Sequence, residues 1–165
     1  MSNSDNPKYG ALFQKQVMKW FQDHFEKSFE LDKKIPIGNP PKEHKFDIVD
    51  LTGTIAIECK RYTWTETGNV PSAKMGFTNE AAFYLSLLPN NYDKYIVMLK
   101  ARHAKRTESL AEYYYRMNKH LLGNIITRAV ICDVQSLGDC RFELHHPHLL
   151  SFHSTTALPA RPLLF

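Results

Sequence analysis

Two short apolar runs separated by a Thr-Gly pair constrain this chain more than any other feature. The runs are KFDIVD (residues 45–50) and TIAIECK (residues 54–60), and the turn residues Thr52 and Gly53 lie between them. Both runs alternate apolar and polar side chains, which is the period of a β-strand with one buried face. Strands joined by so short a connection pair in opposite directions, so the segment predicts an antiparallel hairpin.

The apolar pattern also predicts the register of this hairpin. With Thr52 and Gly53 as the loop, Ile48 lies opposite Ile57 and Asp47 lies opposite Glu58. In this register one face carries five apolar side chains, which are Phe46, Ile48, Ile55, Ile57 and Cys59. A slip by one residue would mix apolar and polar side chains on that face. A longer loop in the same register stays open, because Thr-Gly is a weaker two-residue turn than Asn-Gly.

The other face of the predicted hairpin ends in an unusual set of charges. Glu58 and Lys60 are two residues apart and therefore share a face of their strand. Asp47 and Glu58, directly opposite each other, would have Cβ atoms ~5 Å apart, and like charges at that distance repel. Lys60 offsets part of this repulsion, and a hard divalent cation such as Mg²⁺ would offset the rest. The pattern predicts an acid pair that binds a cation, with a lysine aimed at the same point.

This set of residues suits the metal-assisted hydrolysis of a phosphodiester. A cation held by Asp47 and Glu58 would polarise the phosphoryl oxygen and lower the pKa of a bound water. Lys60 would position or activate that water, or stabilise the developing negative charge. The main-chain carbonyls of Ile57 and Cys59 would be further oxygen ligands. The Cys59 side chain points to the opposite face and is expected in the core.

These residues carry a resemblance to a known family. Asp47, followed after a gap of ten residues by Glu58-Cys59-Lys60, on two strands after an N-terminal helix, resembles the PD-(D/E)XK nuclease superfamily with its restriction-endonuclease-like fold. The resemblance covers residues 10–100, where the predicted order of helix, three strands, helix and strand is similar to the αβββαβ core of that superfamily. It implies that Asp47 and Glu58 hold Mg²⁺, with Mn²⁺ as an alternative, and that Lys60 serves the attacking water.

The chain departs from this family pattern at several positions. The residue before Asp47 is Phe46 rather than the proline found in many members. Many members also carry a metal-facing glutamate on the first helix, where this chain has Gln14, so the site relies on Asp47 and Glu58 or has reduced activity. Members often add a polar residue from the second helix, and the options here are Lys74, Asn79 and Glu80.

The remaining segments predict an α/β fold in which a mixed central sheet is flanked by helices. We expect a flexible tail over residues 1–9 and a single nuclease-like domain over residues 10–165, with an extra helix and C-terminal strands added to the core. Apolar residues at helical spacing and stop signals at Pro89 and Gly123 predict helices over 10–29, 74–88 and about 107–122. Apolar runs predict a short extended piece from residue 35 and strands over 95–99, 128–134 and 140–145.

Basic and aromatic residues next to the predicted acid pair are candidates for nucleic-acid contact. A long polar loop, residues 61–73, leaves the lysine strand directly, and long loops beside sites often carry function. Tyr62 and Trp64 in this loop would stack on bases or, equally, pack on the core. The basic stretch 100–106 is a solvated loop or a phosphate-contacting patch. The candidate contacts are therefore Arg61, Tyr62, Trp64, Lys74, Lys100, Arg102, Lys105 and Arg106.

Composition limits the partners and the compartment. The net charge of +4 permits a polyanionic partner without requiring one. No apolar run approaches the ~20 residues that span a bilayer, so no membrane association is expected. The N-terminus has no signal pattern and the three cysteines form no CxxC pair, so we expect a cytoplasmic protein with reduced thiols. His145, His146 and His148 have no second ligand cluster nearby in sequence and do not predict a zinc site.

The expected partner is DNA, with RNA left open. A homodimer or a partner protein is also expected, because one small module reads little sequence alone. Two alternatives to a nuclease remain at this point. Gln14 in place of an acid favours a nuclease-fold module that binds nucleic acid or a partner protein without cutting. The third reading is an interaction protein unrelated to nucleic acid, in which the acid pair is only a surface ion pair with Lys60.

Overall fold

A computed structural model of the chain describes residues 7–132 and 140–144. These residues form three helices and one six-stranded mixed sheet, so the predicted α/β class is confirmed. The elements are α1 (Pro7–Phe25), β1 (Phe29–Ile37), β2 (Lys42–Asp50), β3 (Ile55–Lys60), α2 (Ser72–Ser86), β4 (Asp93–Leu99), α3 (Leu110–Leu122), β5 (Ile126–Cys132) and β6 (Cys140–Leu144). The three histidines at 145, 146 and 148 lie outside the described residues.

The strands lie in the sheet in the order of the sequence, from β1 to β6. The first three form an antiparallel meander, and β3, β4 and β5 are parallel to one another. The last strand, β6, is antiparallel to β5. The connections between the parallel strands contain α2 and α3. The carboxyl ends of β3 and β4 therefore meet at one edge of the sheet, the place where α/β proteins commonly bind ligands.

Two hydrophobic cores lie on opposite faces of the sheet. On one face, α1 buries Phe13, Val17 and Phe21 against strand residues such as Ile48 and Ile57. On the other face, α2 and α3 cover the strands. The principal residues of that second core are Phe46, Val49, Ala56, Ile96, Met98, Met75, Leu85, Leu110 and Tyr114. The molecule is therefore three layers thick over the described residues, with α1 alone on its side.

The observed boundaries differ from the predicted ones at the first helix and the first strand. The helix is present from Pro7, where the sequence predicts a tail up to residue 9; proline suits a first turn because that N–H has no intrahelical partner. It ends at Phe25 instead of residue 29, and Glu26 then adopts a positive φ of 52°. The predicted short piece at 35 is the end of a nine-residue strand, β1. The Asp-Lys-Lys segment of β1 interrupts the alternation of apolar and polar residues, so the sequence does not indicate a strand there.

The predicted register of the β2–β3 hairpin is confirmed. Ile48 pairs with Ile57 and Val49 pairs with Ala56. The loop is the longer alternative, because β2 ends at Asp50 and β3 begins at Ile55. Gly53 has φ +67°, and a Cβ there would lie 3.0 Å from the Tyr92 hydroxyl oxygen. The backbone conformation thus favours glycine at this position, and a larger residue would also crowd the Tyr92 hydroxyl.

The prediction that Phe46 shares a face with Ile48 is wrong. Phe46 packs in the α2–α3 core, whereas Ile48 packs in the α1 core. The change occurs where Asp32 of β1 faces Asp47 of β2: Asp32 has φ +55°, and the bonded pairs resume beyond it with Lys33 opposite Phe46. The distal half of the β1–β2 ribbon therefore turns its apolar side chains, Ile35, Ile37 and Phe46, to the other layer.

The Asp50 carboxylate holds the hairpin loop together. It accepts hydrogen bonds from the main-chain N–H groups of Thr54 and Ile55, at 2.7 and 2.6 Å, and from the Thr52 hydroxyl. Lys27 Nζ lies 3.5 Å from it. Burial would raise the pKa of Asp50, but these donors outweigh burial and lower the pKa to about 2. The buried carboxylate thus replaces the strand partners that the loop residues lack.

Among the described residues, no helix is both long enough and apolar enough to cross a bilayer.

We predict that Asp50→Asn lowers the free energy of unfolding by about 2–3 kcal/mol. The amide loses the charge beside Lys27 and keeps only one of the two oxygens that accept from the main-chain N–H groups and from the Thr52 and Thr54 hydroxyls. Since the folded pKa of Asp50 lies below the ordinary value, its contribution is present above about pH 4 and is lost as the pH falls towards 2. Urea unfolding followed by tryptophan fluorescence measures both effects.

The control for this prediction is Asp23→Asn, which removes an exposed ion pair with Lys19. Its effect should stay within about 0.5 kcal/mol. Equal effects of the two substitutions would contradict the role given to Asp50.

Candidate functional site

Glu58 and Lys60 lie near the carboxyl end of β3, and their side chains face the layer of α2. The Lys60 Nζ atom is 2.7 Å from Glu58 Oε2. Glu58 is only 5% exposed, and the Lys60 side chain is 14% exposed. The predicted shared face of the two residues is confirmed. A bonded acid–base pair buried to this extent is costly, so a surface ion pair does not describe it.

Asp47 approaches the pair from β2, in a different way from the one predicted. The bonded pairs of the hairpin are those at Ile48 and Val49. Asp47 instead accepts a hydrogen bond at its carboxylate, where Oδ2 receives the main-chain N–H of Cys59 at 2.7 Å. The side chain therefore occupies the place of a strand partner beside Glu58.

Gln14 of α1 is the second hydrogen-bond donor to the Asp47 carboxylate. Its Nε2 donates to Asp47 Oδ1 at 2.8 Å, across the boundary between the two layers. The sequence expectation that Gln14 is the first-helix member of the site is thus matched by its position. The residue acts here as a donor that fixes the carboxylate, a role that a glutamate in the same place could not fill when ionised.

Burial controls the charge of the two acids. It raises the pKa of Glu58 to about 7, and the nearby Asp47 carboxylate adds to this rise. Lys60 and the Asp47 main-chain N–H oppose it. Burial also raises the pKa of Asp47, against the effect of Lys60 and of the Cys59 N–H. Burial therefore disfavours the ionised form of both acids, and the neighbouring donors compensate for this only in part.

Lys60 remains an ammonium in this setting. Burial on its own would lower the pKa of Lys60. The Glu58 and Asp47 carboxylates outweigh burial and raise this pKa above its ordinary value. Lys60 therefore enters any reaction as a positively charged hydrogen-bond donor, since an ammonium has no lone pair with which to accept a proton.

A cavity of about 360 Å³ opens beside the pair. Its lining residues come from β2, β3 and α2 and are His44, Lys45, Glu58, Lys60, Phe77, Glu80, Ala81 and Tyr84. His44 stacks on Tyr84 with a centroid distance of 3.9 Å, and its Nε2 lies 4.0 Å from Glu58 Oε1. Burial lowers the pKa of His44, and Lys60 lowers it further.

His44 is a site residue that sequence reasoning missed. Strict alternation along β2 would place residue 44 on the opposite face from Asp47 and from Glu58. The change of faces at Asp47 brings His44 to the layer of Glu58 instead. No signal in the apolar pattern marks this change, because Phe46 and Ile48 are both apolar. The only local hint is the charged Asp-Lys-Lys segment of β1.

Of the polar options on the second helix, only Glu80 lines the cavity. Lys74 lies beside the loop that follows β3, with its Nζ 5.3 Å from the centre of the Tyr62 ring. The Asn79 side-chain oxygen is buried without a protein hydrogen-bond partner. Of these three residues, Glu80 is therefore the one that reaches the site from α2.

Three of the predicted nucleic-acid contacts make contacts within the protein. Trp64 is 5% exposed and packs in the α2–α3 core, which is the second of the two readings left open for it. Arg106 lies over the Trp64 ring at 4.6 Å and donates from Nε to the Gly68 carbonyl at 2.6 Å. The Lys100 side chain is 7% exposed and lies 4.0 Å from Glu112. Trp64 and Lys100 are thus too buried to form part of a nucleic-acid surface, whereas Arg106 is exposed and stays a candidate contact.

The other predicted contacts keep at least part of their surface. Arg102 and Lys105 are exposed. Arg61, Tyr62 and Lys74 are half-buried, and the Arg61 guanidinium lies 5.0 Å from the centre of the Tyr9 ring. Together with Arg106, these five residues remain candidates for phosphate or base contact.

The loops that follow β3 and β4 are bound to each other. His103 Nε2 lies 3.2 Å from the Glu66 carbonyl oxygen, and Arg106 holds the Gly68 carbonyl. Gly68 has φ +83°, and a Cβ there would lie 2.9 Å from the His103 ring. Residues 100–106 therefore lie near the carboxyl end of β4, at the edge of the sheet that also carries Lys60.

The chemistry of the acid pair fits a divalent cation. Among residues 7–132 and 140–144, no cluster of three or more His, Cys, Asp or Glu side chains is arranged to hold a metal. Asp47 and Glu58 are nevertheless two oxygen donors, each with a pKa raised by burial. A cation between them would supply the missing positive charge, and main-chain carbonyls or water would fill its remaining positions.

Comparison of the chain with protein-family models, with curated proteins and with solved structures found no match. Its function is therefore inferred from the arrangement of its own residues.

We predict that Glu58→Gln becomes more stable relative to the unsubstituted chain as the pH rises from about 5 to about 8. The folded pKa of about 7 lies above the ordinary value of 4.5. The folded chain therefore binds more protons than the unfolded chain in this window, and its stability falls with rising pH. The expected gain of the variant is ~1–3 kcal/mol, measured by urea unfolding in EDTA.

The difference between variant and parent is the required readout. The pKa of His44 is lowered, so His44 contributes a pH dependence of the opposite sign to both proteins. Glu43→Gln, at an exposed position on the same ribbon, is the control. If Glu58→Gln and Glu43→Gln follow the same curve, Glu58 does not carry the buried charge described here.

Proposed function

We propose that the chain is a divalent-cation-dependent nuclease that hydrolyses phosphodiester bonds in DNA. The observation that carries this proposal is the buried Glu58–Lys60 pair, 2.7 Å apart, beside an Asp47 carboxylate fixed by the Cys59 N–H. Glu58 and Lys60 line a cavity at the carboxyl end of a strand, and the Asp47 carboxylate lies beside them on the Cys59 N–H. Such a set serves phosphodiester hydrolysis, which needs a cation site and a donor beside it.

The order of the elements supports the same proposal. The helix α1, the antiparallel meander β1–β3, the helix α2 and the strand β4 follow one another along the chain. This order resembles the αβββαβ core expected from Asp47 and Glu58-Cys59-Lys60 for a PD-(D/E)XK nuclease. In this assignment α3, β5 and β6 are additions to a restriction-endonuclease-like core.

Asp47 and Glu58 would hold Mg²⁺ or Mn²⁺, with the Cys59 main-chain carbonyl as a further ligand. When bound, the cation polarises a phosphoryl oxygen and makes a water more acidic. The Cys59 thiol takes no part, because burial raises its pKa well above the ordinary value and keeps it protonated.

The side chains of the protein provide orientation and charge. Gln14 and the Cys59 N–H fix both oxygens of Asp47, so this ligand needs no rearrangement before substrate arrives. Glu58 holds the Lys60 ammonium at the cavity. As water forms its bond to phosphorus and the ester P–O bond breaks, the Lys60 ammonium orients the water or donates to the oxygen on which charge develops.

We expect Lys60→Met to reduce metal-dependent cleavage by ~100-fold or more, because it removes this donor from a buried site. Lys60→Arg should retain part of the activity, since its charge remains. The assay contains supercoiled plasmid, linear duplex, branched DNA, single-stranded DNA and RNA, each with Mg²⁺ or Mn²⁺. Lys19→Met, on the exposed side of α1, is the matched control and should cleave normally.

Absence of cleavage of every substrate, together with absence of Mn²⁺ binding by calorimetry, would refute the nuclease proposal. Cleavage that survives in Lys60→Met would refute the role of Lys60 alone.

A second function is favoured by one contact, the hydrogen bond from Gln14 to Asp47. A first-helix amide that occupies Asp47 Oδ1 gives the cation one acidic ligand fewer than a glutamate would. The fold would then bind nucleic acid or a partner protein and cut weakly or not at all. Assembly as a homodimer or with a partner would suit either function, because one small module reads little sequence.

We predict that Gln14→Glu tightens Mn²⁺ binding several-fold and increases cleavage, because it adds a carboxylate to the site. In EDTA the same variant should be less stable, since it loses a donor to Asp47 and gains a like charge there. Calorimetry and thermal unfolding with and without Mn²⁺ measure the two effects. Unchanged Mn²⁺ affinity would contradict a cation site beside Gln14.

A further inference from the structure

One face of α2 forms an aromatic wall opposite the charged residues of the site. Phe77, Ala81 and Tyr84 recur at helical spacing and line the same cavity as Glu58 and Lys60. Phe77 is 52% exposed, although it lies in the middle of the helix. An exposed aromatic ring beside a buried ion pair presents a flat apolar surface and a charged surface to the same ligand.

The wall continues into a second cavity. This cavity has a volume of about 290 Å³ and is lined by Ile37, Lys42, Glu43, His44, Tyr84 and Leu87. The stacked rings of His44 and Tyr84 line both cavities and so form the partition between them. A groove with two compartments therefore runs between α2 and the distal half of the β1–β2 ribbon.

The chemistry of this groove matches an unpaired nucleotide. A base offers a π-face for stacking on Phe77 or Tyr84, and its phosphate offers negative charge to Lys60 or Lys45. In a duplex the base faces are covered by their neighbours, and the outer surface consists of phosphates and sugars. Volumes of about 360 and 290 Å³ lie at the lower end of the ~300–1,000 Å³ of small-molecule sites, which suits one nucleotide each.

We propose that this groove binds single-stranded nucleic acid, with one unpaired nucleotide in each compartment and the His44–Tyr84 pair between them. Glu58 and Lys60 then lie in the first compartment, where the backbone of the bound strand passes. The position of cleavage rests on the proposed nuclease function, whereas the binding itself does not.

The test is fluorescence anisotropy of dye-labelled oligothymidylate and of a duplex of equal length, in EDTA so that no cleavage occurs. Strands of about 16 nucleotides cover the upper end of the site size of a single-strand-binding fold. We expect the single strand to bind at least tenfold more tightly than the duplex. An oligouridylate arm shows whether the groove distinguishes DNA from RNA, and binding of either strand supports the proposal.

The chain offers a matched pair of phenylalanines for the variants. Phe77→Ala removes a ring that lines the cavity, and should weaken single-strand binding roughly tenfold. Phe83→Ala removes a ring that is 60% exposed on the same helix and lines neither cavity, and should change binding by less than about twofold. Tyr84→Leu keeps apolar bulk against the core while removing the stacking surface, and should behave like Phe77→Ala.

Equal losses in Phe77→Ala and Phe83→Ala would overturn the proposal, as would tighter binding of the duplex. A third result would also overturn it: sedimentation experiments show a dimer that Phe77→Ala and Phe83→Ala both dissociate, while oligothymidylate binding stays unchanged. The two proposals fail separately. Single-strand binding without metal-dependent cleavage and without Mn²⁺ binding refutes the nuclease alone, and cleavage of duplex without single-strand binding refutes the groove alone.

Discussion

The hydrogen bond from the Cys59 main-chain N–H to the Asp47 carboxylate connects the sheet to the site. It forms at the point where the bonded pairs of the β2–β3 hairpin stop, so a side chain replaces a strand partner there. A carboxylate in that place satisfies a buried donor and at the same time brings a negative charge next to Glu58. The same Asp47 carboxylate raises the pKa of Glu58 and of Lys60 and accepts a hydrogen bond from Gln14.

Burial of Asp47, Glu58 and Lys60 is unfavourable for folding, and it also shifts the pKa values of these groups. Removing two acids and a lysine from water is unfavourable, and the observed partners only partly offset that cost. Proteins keep such groups where a ligand completes the set, because strongly shifted pKa values cluster at functional sites. By contrast, the Asp50 carboxylate, whose pKa is lowered by its donors, is fully occupied in the hairpin loop. The two aspartates of β2 thus differ: hydrogen-bond donors lower the pKa of Asp50, whereas burial raises the pKa of Asp47.

Much of the β2–β3 hairpin and of the candidate site could be predicted from the sequence, because both depend on local patterns. Alternation in TIAIECK placed Glu58 and Lys60 on one face, and the turn between the strands set the register that the structure confirms. The change of faces at Asp32 and Asp47 could not be predicted, because it depends on a positive φ in a charged segment. His44 was missed for that reason. The burial of Trp64 and Lys100 could not be predicted either, because it depends on contacts between segments that are distant in sequence.

The change of faces also restricts how relatives of this chain could differ in length. The ribbon carries His44 to the wall of the groove only because the distance along the strand from Asp47 is fixed at three residues. A single inserted residue between them would turn the imidazole to the opposite layer and a neighbouring lysine inward. Beyond Ile37 the ribbon ends in an exposed loop around Gly38 that adds nothing to the groove. Evolutionary insertions and deletions should therefore accumulate at the ribbon tip, while the segment from Asp32 to Ile35 and its partner from His44 to Asp47 keep a constant length.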